Sequence, residues 1–243
     1  MVFVIIVLFF LNVYILLPML IRPFLSKRLS AILKRSGYTC LTFDDGPDLE
    51  MTPEILNILR KAGAKATFFV LGEKVDQYPG IVARIVDEGH ELGEHSYRHL
   101  HPWKCDPLRS AMDLLKGRRS VLKYRSSIET VPFRPPYGKL NLITILHIFF
   151  MRSRPVFWDI DPRDYDENSA EKVAREVLNK LRPGSVVLLH DGRRDPYKNS
   201  QVTASALGLI LKASKETGLR FSTISEATRF AGVQLGRYSL TKR

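Results

Sequence analysis

Residues 38–47 read Tyr38-Thr39-Cys40-Leu41-Thr42-Phe43-Asp44-Asp45-Gly46-Pro47. The apolar, aromatic and β-branched run Tyr38 to Phe43 predicts a buried strand. It leads without a break into two adjacent carboxylates and a Gly-Pro turn. Side by side at a strand end, carboxylates cost free energy unless cations or a metal ion offset their charge. Taken alone, an Asp-Asp-Gly sequence is more often only a turn. What surrounds it in the chain decides between these readings. From Gly37 onward, β-like runs recur at Ala66–Val70, Glu91–Glu94, Thr130–Phe133, Val156–Ile160, Ser185–Leu189 and Leu219–Thr223. Segments of helical periodicity lie between them. Thr52 reads as an N-cap with Pro53 at the first helical position and Gly63 as the stop; Asp106-Pro107 and Asn168 to Glu171 read as further starts, and Gly89, Gly184 and Gly218 as further ends. Strands alternating with helices imply a parallel sheet covered by helices. Seven such units in about two hundred residues predict an α/β fold, a distorted (β/α) barrel of about seven strands, with an open doubly wound sheet as the alternative. In either architecture chemistry sits where strands end and loops begin.

The other strand exits carry reactive side chains as well. The third ends in Glu94-His95-Ser96-Tyr97-Arg98-His99, and two imidazoles four residues apart converge on one metal if the stretch makes a helical turn. With a carboxylate from the first exit they supply the ligand number of a catalytic zinc that keeps a position open for water. The fourth exit is Phe133-Arg134-Pro135-Pro136-Tyr137-Gly138. Its prolines forbid a helix, hold Arg134 rigidly and direct the Tyr137 N–H. The fifth is Trp158-Asp159-Ile160-Asp161-Pro162-Arg163-Asp164-Tyr165 and the sixth Val187-Leu188-Leu189-His190-Asp191-Gly192. A lone histidine after an apolar strand is as readily structural as catalytic. Five such exits on one face are what a metal-hydrolase site looks like and what a binding module does not require.

In this order the motifs Thr42-Phe43-Asp44-Asp45-Gly46-Pro47, His95-Ser96-Tyr97-Arg98-His99, Arg134-Pro135-Pro136-Tyr137, Asp161-Pro162-Arg163-Asp164-Tyr165 and Leu188-Leu189-His190 resemble the polysaccharide deacetylase family with the NodB-homology domain, carbohydrate esterase family 4. The resemblance extends over about Tyr38 to Phe230, and Ala66-Thr67-Phe68-Phe69-Val70 and Arg182-Pro183-Gly184-Ser185 also match it. It implies a metal-dependent hydrolase removing N-acetyl or similar acyl groups from an amino sugar in a polysaccharide, oligosaccharide or lipid-linked glycan. Asp45, His95 and His99 would bind a divalent metal, usually Zn2+. Asp44 would be the general base, oriented by Arg134, and His190 the general acid with Asp161 behind it. The Tyr137 N–H would receive the oxyanion and Leu188 would line the acyl pocket. Glu94 departs from the family's usual Asn or Asp, and Tyr165 from the Trp that often closes the substrate groove. An O-acetyl esterase, a deformylase and a catalytically idle carbohydrate-binding member are alternatives on the same fold. A non-haem iron oxygenase with the same triad leaves the base and the acid without a role.

The 243 residues carry a net charge of +12, yet the basic residues are scattered, with no zinc-finger spacing and no aromatic-basic RNA-binding pattern, so nucleic acid is not an expected partner. Met1 to Ile21 contain no charged side chain. At 1.5 Å per residue they span roughly 30 Å, which predicts a single transmembrane anchor. Arg22, Lys27, Arg28, Lys34 and Arg35 follow, with Phe24, Leu25, Leu29, Ile32 and Leu33 among them, and predict a basic amphipathic linker over residues 22–36. Membrane lipid is thus an expected partner of residues 1–35, and the one-sided charge leans the catalytic domain toward the cytoplasm by the positive-inside rule, whereas the family resemblance points to the outer side. Residues 37–232 form the expected deacetylase domain and 233–243 a basic tail. Cys40 and Cys105 allow one disulfide at most, and the apolar run around Cys40 favours a buried free thiol.

Overall fold

The computed structural model describes residues 12–125, 130–192 and 201–232. Its centre is Tyr38–Asp44 (β1), paired in parallel with Ala66–Val70 (β2) on one side and Val186–His190 (β6) on the other. Beyond β2 the sheet continues through Glu91–Glu94 (β3), Pro132–Phe133 (β4) and Arg154–Pro155 (β5), while Arg220–Phe221 (β7) pairs with the start of β1. Every pairing is parallel, so each connection crosses over a face of the sheet and each strand points its C-terminal end the same way.

The sheet curls. Val156 N donates to Phe133 O at one edge (2.8 Å), whereas Asp159 N and Ile160 N donate to Val186 O at the other (3.2 and 3.3 Å), and Leu188 N returns a bond to Ile160 O. Residues 156–160 therefore cross from one edge to the other. They touch each for only a residue or two, so the strand expected there contracts to an isolated Ile160–Val187 bridge. The result is a curled parallel half-barrel rather than an evenly closed ring.

Alternation along the strands separates two apolar layers. Leu41, Phe43, Phe68, Val70, Leu92, Val187 and Leu189 pack outward with Ile55, Leu56 and Leu59 of Met51–Ala62 (α2), Ile85 of Pro79–Asp87 (α4), Val173 and Val177 of Ala170–Leu178 (α7), and Leu207 and Ile210 of Gln201–Glu216 (α8). Cys40, Phe69, Val156 and Val186 pack inward, and the inner face that begins with Cys40 ends, two and four residues on, at Thr42 and Asp44. Cys40 and Cys105 are both free thiols.

The inner layer is plugged by Leu17–Ser36 (α1) and Ile224–Phe230 (α9), through Leu29, Leu33, Ile224 and Ala227. This corrects the reading of the N-terminus. Among the described residues no helix is long and apolar enough to cross a membrane, which overturns the expected single transmembrane helix and the single-pass localisation with it. The 20 residues of α1 run through the supposed boundary at Ile21, contain Pro23, and carry Arg22, Lys27, Arg28, Lys34 and Arg35. Leu29 and Leu33, four residues apart, form a stripe that faces protein. Arg22 lies over the rings of Phe157 and Trp158, and the Tyr14 hydroxyl in the π-helical turn Asn12–Leu16 accepts from Asn141 Nδ2 at 3.0 Å. Residues read as anchor and linker thus make contacts within the protein. Residues 1–11 of the expected anchor and the whole tail 233–243 lie outside the described residues.

Local end signals divide similarly. Gly63, Gly89, Gly184 and Gly218 all take left-handed φ, and Asp106 caps Pro107–Leu122 (α5) by accepting from Arg109 N at 2.9 Å. Thr52, by contrast, lies inside α2. Its hydroxyl donates to Asp191 Oδ2 (2.7 Å) and accepts from Asp48 N, while Asp48 Oδ1 receives the Glu50 and Met51 amides. The start after Asn168 is capped by Ser169, which accepts from Lys172 N.

Candidate active site

Register places the reactive side chains together. Asp44 of β1 lies opposite His190 of β6 and Phe69 of β2, and Glu94 of β3 lies opposite Val70 and Phe133. The residues that follow these ends share one rim of the half-barrel. Asp45 turns the chain in left-handed φ (70°), and Lys74 of Gly72–Gln77 (α3) holds its carbonyl at 2.8 Å. A Cβ on Gly192 would meet Asp45 O at 1.9 Å, so only glycine lets the β6 exit lie against this turn.

Asp45 Oδ1 is 3.5 Å from both His95 Nε2 and His99 Nε2. All three ligand atoms lie within 4.8 Å of one another. Bonds of about 2.1 Å to a tetrahedral ion set its ligands ~3.4 Å apart, so a cation fits among these atoms with little adjustment. His95 Nδ1 donates to Arg134 O at 2.7 Å. A carbonyl can only accept, so in the neutral ring Nε2 keeps its lone pair, on the side that faces Asp45.

The convergence of the histidines is not helical as expected. Ser96 and His99 take left-handed φ (68° and 57°), and the loop is moulded on α5. Asp113 accepts from Tyr97 N and Arg98 N (3.3 and 3.0 Å), and a Cβ on Gly117 would meet the Ser96 carbonyl carbon and oxygen at 2.4 Å. Arg118, one residue on, pairs with buried Glu94, whose second oxygen lies 2.8 Å from His147 Nε2 of Leu142–Phe150 (α6). Glu94 thus points away from the cluster and ties β3 to two helices.

Two further pairs flank this cluster. Arg134 is fully buried, its Nη1 2.6 Å from Asp44 Oδ1 and its guanidinium stacked on Phe69. Burial lowers the Arg134 pKa, and the charge and hydrogen bond of Asp44, then the charge of Asp161, oppose that. His190 Nδ1 meets Asp164 Oδ1 at 2.8 Å and His190 N donates to Asp164 Oδ2, which also accepts from Thr203 Oγ1. Burial alone would lower the imidazole pKa. The charge and hydrogen bond of Asp164, with Asp45 and Asp44 beyond, outweigh it and raise it to about 9. Next to it, burial pushes the Asp191 carboxyl up to about 7 against the Thr52 hydroxyl and Lys74.

The rim gathers Asp44, Asp45, His95, His99, Arg134 and His190, with half-exposed Tyr137 edge-on to His99 (4.5 Å) and Tyr165 edge-on to His190 (5.1 Å). Leu188 is buried on β6 beside Thr42. Asp161 is not behind His190. Its Oδ1 accepts from Arg163 N (3.0 Å), and the left-handed Arg163 reverses the chain so that Asp164 reaches the imidazole instead. Asp113, Gly117 and Asp164 are the residues that sequence reasoning passed over. Asp113 and Gly117, four apart on one helix, were legible as a small-polar face but nothing local tied them to the distant histidines.

Comparison with known proteins agrees with this geometry. The polysaccharide deacetylase profile matches residues 34–148. A peptidoglycan-N-acetylglucosamine deacetylase of Bacillus cereus is 37% identical over 192 residues, covering 78% of this chain and 87% of the relative. The chain belongs to the polysaccharide deacetylase family. A chitooligosaccharide deacetylase of Bradyrhizobium is 34% identical over 179 residues, covering 74% of this chain and 81% of that one. The crystal structure of a peptidoglycan N-acetylglucosamine deacetylase in complex with 4-naphthalen-1-yl-N-oxidanyl-benzamide superposes with a TM-score of 0.74 at 33% identity, covering 83% of this chain and 91% of the other. As a member of this deacetylase family the protein is a hydrolase.

Proposed function

We propose that this chain is a divalent-metal-dependent N-deacetylase of amino-sugar glycans. The observation that carries the reading is the convergence of Asp45, His95 and His99, flanked by an arginine-bound carboxylate and a carboxylate-bound histidine. A divalent ion such as Zn2+ held by those three residues supplies Lewis acidity and brings the pKa of water toward 7. Asp44 takes the proton from the attacking water, and Arg134 keeps its second oxygen aimed at the site. His190, charged at neutral pH by Asp164, donates to the departing amine; without that proton the C–N bond re-forms. The Tyr137 N–H, presented by the left-handed turn after Pro135-Pro136, donates to the developing oxyanion. Leu188 bounds the pocket for the acyl methyl.

Metal analysis of the purified chain, with primary-amine release from N-acetylglucosamine oligosaccharides before and after chelation, tests this. Stoichiometric metal and chelator-sensitive amine release are expected. A folded, metal-loaded protein that releases no amine contradicts the reading.

A further inference from the structure

A second polar cluster adjoins the metal ligands on the Tyr137 side. The rings of His99, Tyr137, His101 and Trp103 follow one another at centroid separations of 4.5, 4.7 and 5.9 Å. Lys139, two residues after Tyr137, places Nζ 4.4 Å from the Trp103 centroid, 5.9 Å from that of Tyr137 and 3.1 Å from His101 Nε2.

The last of these contacts is unusual. Trp103 N lies 3.2 Å from His101 Nδ1 and, as a backbone amide, can only donate to it. Nδ1 therefore carries the lone pair of the neutral ring and Nε2 carries the proton. An ammonium group has no lone pair either. Nε2–H and Nζ–H are two donors converging with no acceptor between them, and an oxyanion placed there satisfies both. Trp103 is fixed by its own indole bond to Leu140 O (2.9 Å), so the pair stands on a rigid floor.

We infer that His101 and Lys139 form an anion subsite beside the catalytic centre, taking a carboxylate or phosphate substituent on the sugar next to the one deacetylated. Tyr137, half-exposed between His99 and His101, provides the apolar platform on which that neighbouring sugar lies. The inference rests on the deacetylase reading and narrows it. Of the two glycan classes for which the relatives are named, chitooligosaccharides are neutral, whereas peptidoglycan carries on every second sugar a lactyl ether whose carboxyl is a free anion wherever the stem peptide has been removed. The subsite selects a peptide-free strand of the second kind over a neutral one.

Steady-state kinetics of the metal-loaded chain on three substrates of equal length tests it: N-acetylchitotetraose, a peptide-free peptidoglycan tetrasaccharide with free lactyl carboxylates, and a phosphorylated chitotetraose. The wild type is expected to show a KM about tenfold lower for an anionic substrate than for the neutral one, the effect of one charge-assisted hydrogen bond. Whichever anionic arm shows it names the substituent. Lys139→Met erases the difference and Lys139→Arg keeps it. Turnover of all three substrates with equal KM, or an unchanged ratio in K139M, overturns the subsite and leaves the deacetylase intact. No turnover of any of the three overturns the deacetylase reading and the subsite together.

Discussion

His190 and Asp164 are joined at two points: the imidazole Nδ1 and the backbone N of the histidine each face a different oxygen of the same carboxylate, both at 2.8 Å. The ring's orientation is therefore set by one side chain, which also does most to favour its charge. The Thr203 hydroxyl, 2.8 Å from Asp164 Oδ2, fixes that carboxylate in turn. Because His190 Nδ1 is committed to Asp164, Nε2 is the ring nitrogen left for the proton delivery proposed above.

The first prediction separates Asp164 from Asp161. In the proposed role of general acid His190 acts only when protonated, so activity is expected to fall as pH rises through its pKa of about 9. Asp164→Asn removes the charge that raises that pKa, and the alkaline limb of the rate profile moves to lower pH. The maximum rate falls by roughly a hundredfold or more, the range for a disabled general acid. Asp161→Asn leaves the limb in place, because Asp161 faces Arg163 N and adds its charge to Arg134. Equal displacement of the limb in both variants would falsify this assignment.

Asp44→Asn tests the other flank. Metal content stays near one per chain, since Asp45, His95 and His99 are intact, while turnover falls by at least about a hundredfold. The same change leaves the guanidinium of Arg134, buried completely, without its nearest anion. An unpaired buried charge costs about 3–5 kcal/mol, so D44N also unfolds at lower denaturant. His95→Ala loses metal as well as turnover. A D44N protein with wild-type stability contradicts the role given to the ion pair, and one without metal contradicts the ligand set.

How far the sequence spoke depended on how local each signal was. The strands around Phe43, Phe68 and Leu189 were legible because burial on both faces leaves an apolar run whatever its neighbours are. The crossing at residues 156–160 has the composition of a strand but pairs with a different edge at each end, and composition carries no partner. Leu29 and Leu33 show the same limit. Beside Lys27, Arg28, Lys34 and Arg35 they suit a lipid surface as well as a protein groove, and only Cys40, Phe69 and Val186 beneath them decide. Asp161 and Asp164 differ in nothing but position around the left-handed Arg163, which the residue type does not announce.

Gly117 is predicted to matter to the metal although it lies on α5, away from the rim. Its missing Cβ leaves room for the Ser96 carbonyl, and Ser96 follows His95, one of the proposed ligands. Gly117→Ala drives a methyl to 2.4 Å from that backbone unless the loop moves. Overpacking of this kind costs about 1–3 kcal/mol. Because the loop carries both histidines, metal affinity falls with stability. Competitive chelator titration of the folded variant measures this, and unaltered affinity at reduced stability refutes the moulding of the loop on α5.

The last prediction concerns stability at acid pH and lies outside the site. His90 is buried before β3, edge-on to Phe68, with Nδ1 accepting the Ala66 amide at 3.2 Å. That bond requires the neutral ring, since a protonated imidazole has no acceptor. Burial first, then the charges of Lys65 and Arg84, lower the His90 pKa from 6.5 to about 4, with Glu88 opposing. The sign follows from which state binds the proton. Above pH 6.5 neither state is protonated here and the contribution to stability is complete. Below it the unfolded chain takes up a proton that the folded chain refuses, so stability falls steadily until about pH 4. A difference of this size corresponds to about 3 kcal/mol over that window. His90→Gln keeps an acceptor for Ala66 N and removes the titration. Urea unfolding of both proteins between pH 7.5 and 4.5 is expected to show the variant losing less stability on acidification. If wild type and H90Q lose the same amount, His90 is not the group responsible.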